Sequence, residues 1–257
     1  MPILNILMLK ISIITATYNS ESVIRETLES IFLQTYTEIE TIIIDGLSTD
    51  STLSIVNSFG TKIDSVISEK DHGIYDALNK GVKISNGDII GFLHSGNLFY
   101  DQEVVFDIAK CFENPNVHAV YGNLVYVQKN NISRIVRQWK SENFHSDLLK
   151  RGWMPPHPTL YVRRSIFNEL NFFDLSFKIS SDYDFIVRLF SNEKLSFKYI
   201  PRILVKMRTG GISNNSINSI YLKSFEDLKI IKKNSIGGLG VLLRKNFSKI
   251  FQFWGMN

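Results

Sequence analysis

Cysteine is almost missing from this chain. Cys111 stands alone, so no disulfide can close within the chain and no cysteine-built metal site can form. That usage fits a reducing cytoplasm. Long apolar runs are also missing: none approaches the roughly 20 residues that a membrane-spanning helix needs, and any membrane contact is expected to be peripheral. The opening MPILNILMLKISIIT has neither a basic leader nor a small-residue cleavage site, so no signal peptide is expected. Charge of one sign is scarce, since 29 basic and 25 acidic side chains leave only +4. No nucleic-acid partner is expected from so small a surplus.

What surplus exists collects at the C-terminus. From Lys223 onward, seven basic residues (Lys223, Lys229, Lys232, Lys233, Arg244, Lys245, Lys249) stand against two acidic ones (Glu226, Asp227), so this tail carries +5 and the remainder about −1. With 257 residues and 44% hydrophobic content, the chain is long enough for one large α/β domain with an appendage.

The first hundred residues alternate short β-branched runs with helical periodicity, the pattern of a parallel sheet covered by helices. Strands are expected at Ile11–Thr15, Glu40–Ile44, Ser65–Ser68 and Asp88–Leu93. Helices are expected through Val23–Ile31, from near Ser48, and over Ile74–Ser85. After Asp101 come a helix to about Phe112, a strand pair near Ala119–Val127 and a polar stretch through the 130s. A rigid loop follows at Pro155-Pro156-His157-Pro158, then helices near Ser165–Leu170 and Asp182–Phe190 and strands near Phe197–Met207. In open α/β sheets ligands bind at the carboxyl ends of the strands. That rule gathers Ala16–Asn19, Asp45–Asp50, Asp71–Asp76 and His94–Asn97 at one edge. A dinucleotide-binding enzyme would carry G-x-G-x-x-G after its first strand; Ala16-Thr17-Tyr18-Asn19 has no glycine.

Four segments in order, IITATYNS (13–20), IIIDGLSTDST (42–52), SEKDHGIYDALNKG (68–81) and GDIIGFLHSGNLFYD (87–101), resemble the nucleotide-sugar half of family 2 glycosyltransferases with the GT-A fold. PPHPTLYVRRSIF (155–167), SSDYDF (180–185) and RTGGISN (208–214) resemble the acceptor half of the same family. The resemblance covers about 9–215. It implies a GT-A-like, Rossmann-type, mostly parallel sheet flanked by helices, with a donor half at about 9–101 and an acceptor half at about 102–215. Residues 216–257 then form a helical extension.

The resemblance also implies an inverting transfer from a nucleotide sugar, carried by UDP, to a glycan or lipid-linked acceptor hydroxyl in surface-polysaccharide assembly. Ala16, Thr17 and Tyr18 supply backbone contacts and an aromatic wall, with Ser95 and Gly96 beside them. Asp45 anchors the base or ribose, the alternative being that Asp45 or Ser48 caps the next helix; for Asp50 the capping role is favoured. Asp71 contacts the base. Tyr75, Asp76 and Asn79 shape the sugar pocket at a helix start that favours anions, or else merely cap it.

The family's acidic metal motif falls at His94-Ser95-Gly96-Asn97, where Asn97 replaces the usual carboxylate. An amide brings no negative charge to offset Mn2+ or Mg2+. Three outcomes stay open: a cation held by Asn97, phosphate and water; neutralisation of the diphosphate by His157, Arg163 or Arg208; or a degenerate sugar-nucleotide-binding or scaffold subunit. The base of an inverting displacement is expected at Asp182. Asp184 lies about 200° around the helix and cannot share its direction; Asp182 as a plain cap is the structural alternative. Gly210-Gly211 resembles the family's loop that closes over bound donor.

A helix over 239–254 would gather Leu239, Leu242, Leu243, Phe247, Ile250, Phe251, Phe253 and Trp254 on one face, with Arg244, Lys245, Ser248, Lys249 and Gln252 outside it. Such a helix suits a membrane interface. The expected location is therefore cytoplasmic, peripheral on the inner face of the cell membrane.

Overall fold

The computed structural model describes residues 8–210 and 217–251. Four short strands, β1 (Ile11–Thr17), β2 (Ile39–Asp45), β3 (Ser65–Ser68) and β4 (Ile89–Phe92), pair in parallel in the order β3-β2-β1-β4. Every residue of β1 is buried, as a strand covered on both faces requires. Its side chains alternate between two cores: Ile14 and Ala16 face one, Ile11 and Ile13 the other. Helix α1 (Ile24–Phe32) buries Ile24, Thr27, Leu28 and Ile31, one stripe at helical spacing. Helix α2 (Thr52–Asn57) begins four residues later than expected. Residues 46–51 are spent in the loop, where Asp50 accepts the Thr52 N–H at 3.0 Å in a local turn; the N-cap itself is Ser51, which makes no side-chain capping bond, so Asp50 is not the cap. Helix α3 (Ile74–Ile84) packs against β1 and β2.

Beyond β4 the sheet continues through β5 (Asn97–Phe99), β6 (Ala119–Gln128), β7 (Asn131–Trp139), β8 (Tyr161–Arg163) and β9 (Phe197–Arg208). From β4 the order runs β8-β6-β9-β5, with β7 also paired to β6. This gives the expected α/β class, parallel through β1 to β4 and mixed beyond them, where β8 runs against both β4 and β6 and β5 runs against β9. Gly91 in β4 permits that packing: a methyl group there would lie 2.0 Å from the Tyr161 ring. The polar stretch through the 130s is strand β7, largely exposed and therefore without a buried face to give it apolar alternation.

The remaining helices are α4 (Val104–Phe112), α5 (Arg164–Glu169), α6 (Ser181–Phe190), α7 (Ile217–Lys233) and α8 (Leu239–Phe251). The last two form a hairpin on α6, with Phe177, Tyr183, Val187, Ile230, Ile231, Val241 and Leu242 in a common core. Helix α8 turns Val241, Leu242 and Lys245 inward and leaves Leu239, Leu243 and Phe247 more than half exposed. The expected polar face is thereby corrected at Lys245. Its ammonium is 2.7 Å from Asp227 on α7, lies over the Tyr183 ring, and is held by burial down to a pKa of about 8. Leu242 likewise points inward, away from the outer apolar row. Ile250, Phe251, Phe253 and Trp254 lie outside the residues whose side chains are described.

Candidate active site

The loops after β1, β2 and β4 interlock at the carboxyl edge of the sheet. Gly46 N–H donates to the Thr17 carbonyl at 2.9 Å, Asn19 N–H to Ser48 Oγ at 2.8 Å, and Ser95 N–H to the Ala16 carbonyl at 3.3 Å. Ser95 Oγ sits 3.0 Å from Ser20 Oγ, and Gly96, at φ +89°, donates its N–H to Thr27 Oγ1. Ala16 and Thr17 are buried while Tyr18 is 60% exposed, so an aromatic face is left for a ligand. A methyl group at Gly46 would stand 3.2 Å from Asp71 Oδ2 and 3.5 Å from the Tyr18 ring. Tyr18 and Asp71 therefore close on the Gly46 backbone, where only glycine leaves room.

The carboxylates of this edge are engaged to different degrees. Asp45 is fully buried, accepting hydrogen bonds from Ser48 N–H at 2.9 Å and Ser68 Oγ at 2.8 Å. It braces the loop that carries Gly46. Asp71 binds Lys80 at 2.6 Å, and Lys80 also reaches Glu69 at 2.8 Å and Asp76 at 3.3 Å. Partial burial pulls the Lys80 ammonium down, but the three carboxylates together raise it above its ordinary value. Asn79 is committed elsewhere: its amide donates to the Phe173 carbonyl at 2.9 Å and accepts the Phe173 N–H at 3.0 Å, tying α3 to the loop ahead of α6.

Asp182 stands in the first turn of α6. Its Oδ1 accepts the Tyr183 N–H at 2.8 Å and lies 3.0 Å from the Tyr75 hydroxyl, whose one proton is shared between this oxygen and the Ile179 carbonyl at 2.6 Å. Oδ2 has no hydrogen-bond partner among the described residues. Burial, and after it the Asp182 charge, push the Tyr75 phenol well above its ordinary pKa, so it stays a donor. Asp184 points the other way and is fully buried, paired with Arg188 at 2.7 Å and with Lys233 at 3.5 Å.

His157 is buried by its proline loop and stacks on Phe92 at 5.3 Å and on His94 at 6.0 Å. Burial holds both imidazoles below their ordinary pKa, His94 down to about 3, while the Asp182 charge pulls each partway back. Both rings are neutral at pH 7. Arg208, at the end of β9, brings its Cδ to 3.9 Å from where a Gly96 side chain would begin. Its guanidinium binds Glu26 and, at 2.7 Å, the Lys129 carbonyl.

Arg163 needs correction. Strand β8 runs antiparallel to β4, so Arg163 pairs with Ile89 at the amino end of β4, away from the carboxyl edge. Its guanidinium donates to the carbonyls of Val117 at 2.7 Å, Phe112 at 3.0 Å and Asn114 at 3.3 Å. It closes the C-terminus of α4 and is unavailable to a diphosphate. Gly211 lies outside the described residues.

Asn97 is 5% exposed, and its N–H closes a turn onto the His94 carbonyl at 2.9 Å. Among the described residues, no group of three or more His, Cys, Asp or Glu side chains is arranged to hold a metal ion. The donor set at this loop, a hydroxyl, a glycine and an amide, does not fit a charge-compensated divalent site.

Two contributors escape a reading of the sequence. Lys80 gathers three carboxylates; its only local signal is the Asp76-to-Lys80 spacing of four on a helix. Glu226, on α7, accepts backbone N–H groups of the loop that leads into α6. No motif announces that contact.

Residues 12–179 match the family model described as Glycosyl transferase family 2. The chain is 30% identical over 217 residues to a PGL/p-HBAD biosynthesis glycosyltransferase of Mycobacterium bovis, covering 82% of each protein. Among solved structures it resembles Staphylococcus aureus TarS residues 1–349, with TM-score 0.69, 20% identity, and 93% of this chain and 72% of that chain covered. That protein has also been solved with UDP and with UDP-GlcNAc. A mannosyltransferase of Pyrobaculum calidifontis, solved with GDP-Man and Mn2+, is similar at TM-score 0.67 and 16% identity, over 96% of this chain and 71% of that one.

Proposed function

The chain belongs to glycosyl transferase family 2, and on that footing we propose that it moves a hexose or N-acetylhexosamine, with inversion, from a UDP-sugar to an acceptor hydroxyl. The observation that carries this reading is the state of Asp182: one carboxylate oxygen tied by Tyr75 and the Tyr183 N–H, the other without a partner among the described residues. Asp182 Oδ2 takes the acceptor proton as the acceptor oxygen forms its bond to the anomeric carbon. The bond from that carbon to the diphosphate oxygen breaks, and UDP leaves with the electron pair. Tyr18 and Asp71, closing on Gly46, contact the base, and the turn at Ser95 and Gly96 borders the diphosphate. Arg208, beside Gly96, meets the leaving-group charge by giving up its pairing with Glu26; His157, neutral and buried, lines the acceptor side.

UDP as carrier is supported by the fold's likeness to TarS, solved with UDP and UDP-GlcNAc. The acceptor is a glycan or a lipid-linked saccharide of surface-polysaccharide assembly, met at a membrane surface through the C-terminal hairpin.

A thermal-stabilisation screen of sugar nucleotides with and without manganese tests the donor assignment. A ligand at 100-fold over its Kd adds about 2.7 kcal/mol, roughly 5–10 °C for a chain of this size. The expected result is a shift of that order for one UDP-sugar, retained without manganese, and UDP release once an acceptor is added. No shift with any sugar nucleotide overturns the reading. A shift without turnover on any acceptor favours the degenerate binding subunit.

A further inference from the structure

Asp182 does not hold its own place. Helix α6 starts at Ser181, and its N-cap, Ser180, makes no side-chain capping bond. The N–H groups ahead of the helix are taken instead by Glu226 on α7, a carboxylate only 4% exposed. Glu226 Oε1 accepts the Lys178 N–H at 2.8 Å, and Oε2 accepts the Ile179 and Ser180 N–H groups, both at 2.9 Å. On the opposite side the Ile179 carbonyl accepts the Tyr75 hydroxyl, the same hydroxyl that touches Asp182. One tripeptide is therefore clamped between α7 and α3, and the next residue but one is the base. A buried carboxylate facing three N–H groups at the positive end of a helix is charge-compensated and needs no other partner.

We infer that Glu226 is a positioning residue for the transfer: through the N–H groups of residues 178–180 it sets the first turn of α6, so that Asp182 keeps Oδ1 on Tyr75 and presents Oδ2 to the acceptor hydroxyl. This rests on the assignment of Asp182 as base. It gives the C-terminal hairpin a task in the reaction, for the helix that supplies Glu226 lies wholly beyond the donor-side motifs. The remainder of the hairpin keeps that helix seated: Lys233 bridges Asp174 at 2.9 Å, and Lys245 pairs with Asp227.

A purely structural carboxylate and a positioning one separate in a double-mutant experiment. Glu226→Gln removes the charge and replaces one acceptor oxygen with an amide NH2 that faces N–H donors, whereas Glu226→Asp keeps the charge on a shorter stem. UDP affinity is measured by calorimetry. Turnover is measured as UDP release from the UDP-sugar selected in the thermal screen, well below each variant's melting temperature. Misplacing a catalytic group by about 1 Å costs on the order of 10²-fold. Expected are a roughly 10- to 100-fold fall in turnover for Glu226→Gln, a smaller fall for Glu226→Asp, and UDP affinity within about twofold. In the Asp182→Asn background Glu226→Gln should cause no further loss, because both act through one group.

Turnover of Glu226→Gln close to wild type overturns the inference. So do losses that multiply in the Asp182→Asn background, a parallel loss of UDP affinity, or failure of both Glu226 variants to fold. If Asp182→Asn alone leaves turnover intact, the fault lies in the base assignment rather than in the role of Glu226.

Discussion

Asp182 and Asp184 stand two positions apart on one helix and meet opposite surroundings. Asp184 is sealed against Arg188 and Lys233, while Asp182 keeps an oxygen open beside Tyr75. The 100° turn per residue separates them, and the separation was legible because it depends only on spacing. His94 allows a test at the same scale. Its folded pKa of about 3 lies below the ordinary 6.5, so between those values the unfolded chain binds more protons than the folded one. Stability from this neutral ring is fully present above pH 6.5 and is lost as pH falls toward 3. Denaturant unfolding from pH 7 down to pH 5, above the range where most carboxylates titrate, should show falling stability, and His94→Gln should flatten that slope. A slope unchanged by the substitution contradicts the buried, neutral assignment.

Elements carried most of what the sequence revealed and most of what it misplaced. Strands β1 to β4 announce themselves by short segments rich in β-branched residues, and the residues just past them do meet at one edge. Asp45 and Asp71 were legible as strand-end carboxylates, but the groups that hold them, Ser68 and Lys80, come from separate elements that no local pattern links. Arg163 was misread because a three-residue strand carries no sign of its direction; antiparallel to β4, it delivers the guanidinium to the C-terminus of α4. There it satisfies carbonyls that a helix end leaves unpaired. Arg163→Ala should cost about 1.5–3 kcal/mol of unfolding free energy, the range for bonds made by a charged donor, while UDP affinity stays unchanged. Calorimetry showing a tenfold loss of UDP affinity at full stability would return Arg163 to the donor site.

At the scale of the whole molecule, the C-terminal hairpin presents two different faces. Inward, it packs on α6 and holds Glu226 and the Lys245–Asp227 pair; removing one member of such a buried pair costs about 3–5 kcal/mol, so truncating α8 should destabilise the domain. Outward, Ile220, Tyr221, Phe225, Leu239, Leu243 and Phe247 are each more than half exposed. The segment's two acids are both buried, whereas Lys229, Lys232 and Arg244 are exposed. An apolar row with cations and no exposed acid suits an anionic lipid surface, and a symmetric second copy would set cation against cation. No described helix is long and apolar enough to cross a membrane. The full chain should float with phosphatidylglycerol vesicles at low salt, less at high salt, and the paired substitutions Leu243→Glu and Phe247→Glu should release it with UDP binding intact. An intact chain that never floats contradicts this surface.

The proposed transfer depends on Asp182 acting on the acceptor proton and taking no part in holding the nucleotide. The most direct test compares Asp182→Asn with wild type for UDP affinity by calorimetry and for turnover with the UDP-sugar selected by thermal stabilisation. A general base contributes about 10²–10⁴-fold. A turnover loss of that size is expected for Asp182→Asn, with UDP affinity within about twofold. Turnover above about a tenth of wild type, or a loss of UDP affinity as large as the loss of turnover, would contradict it.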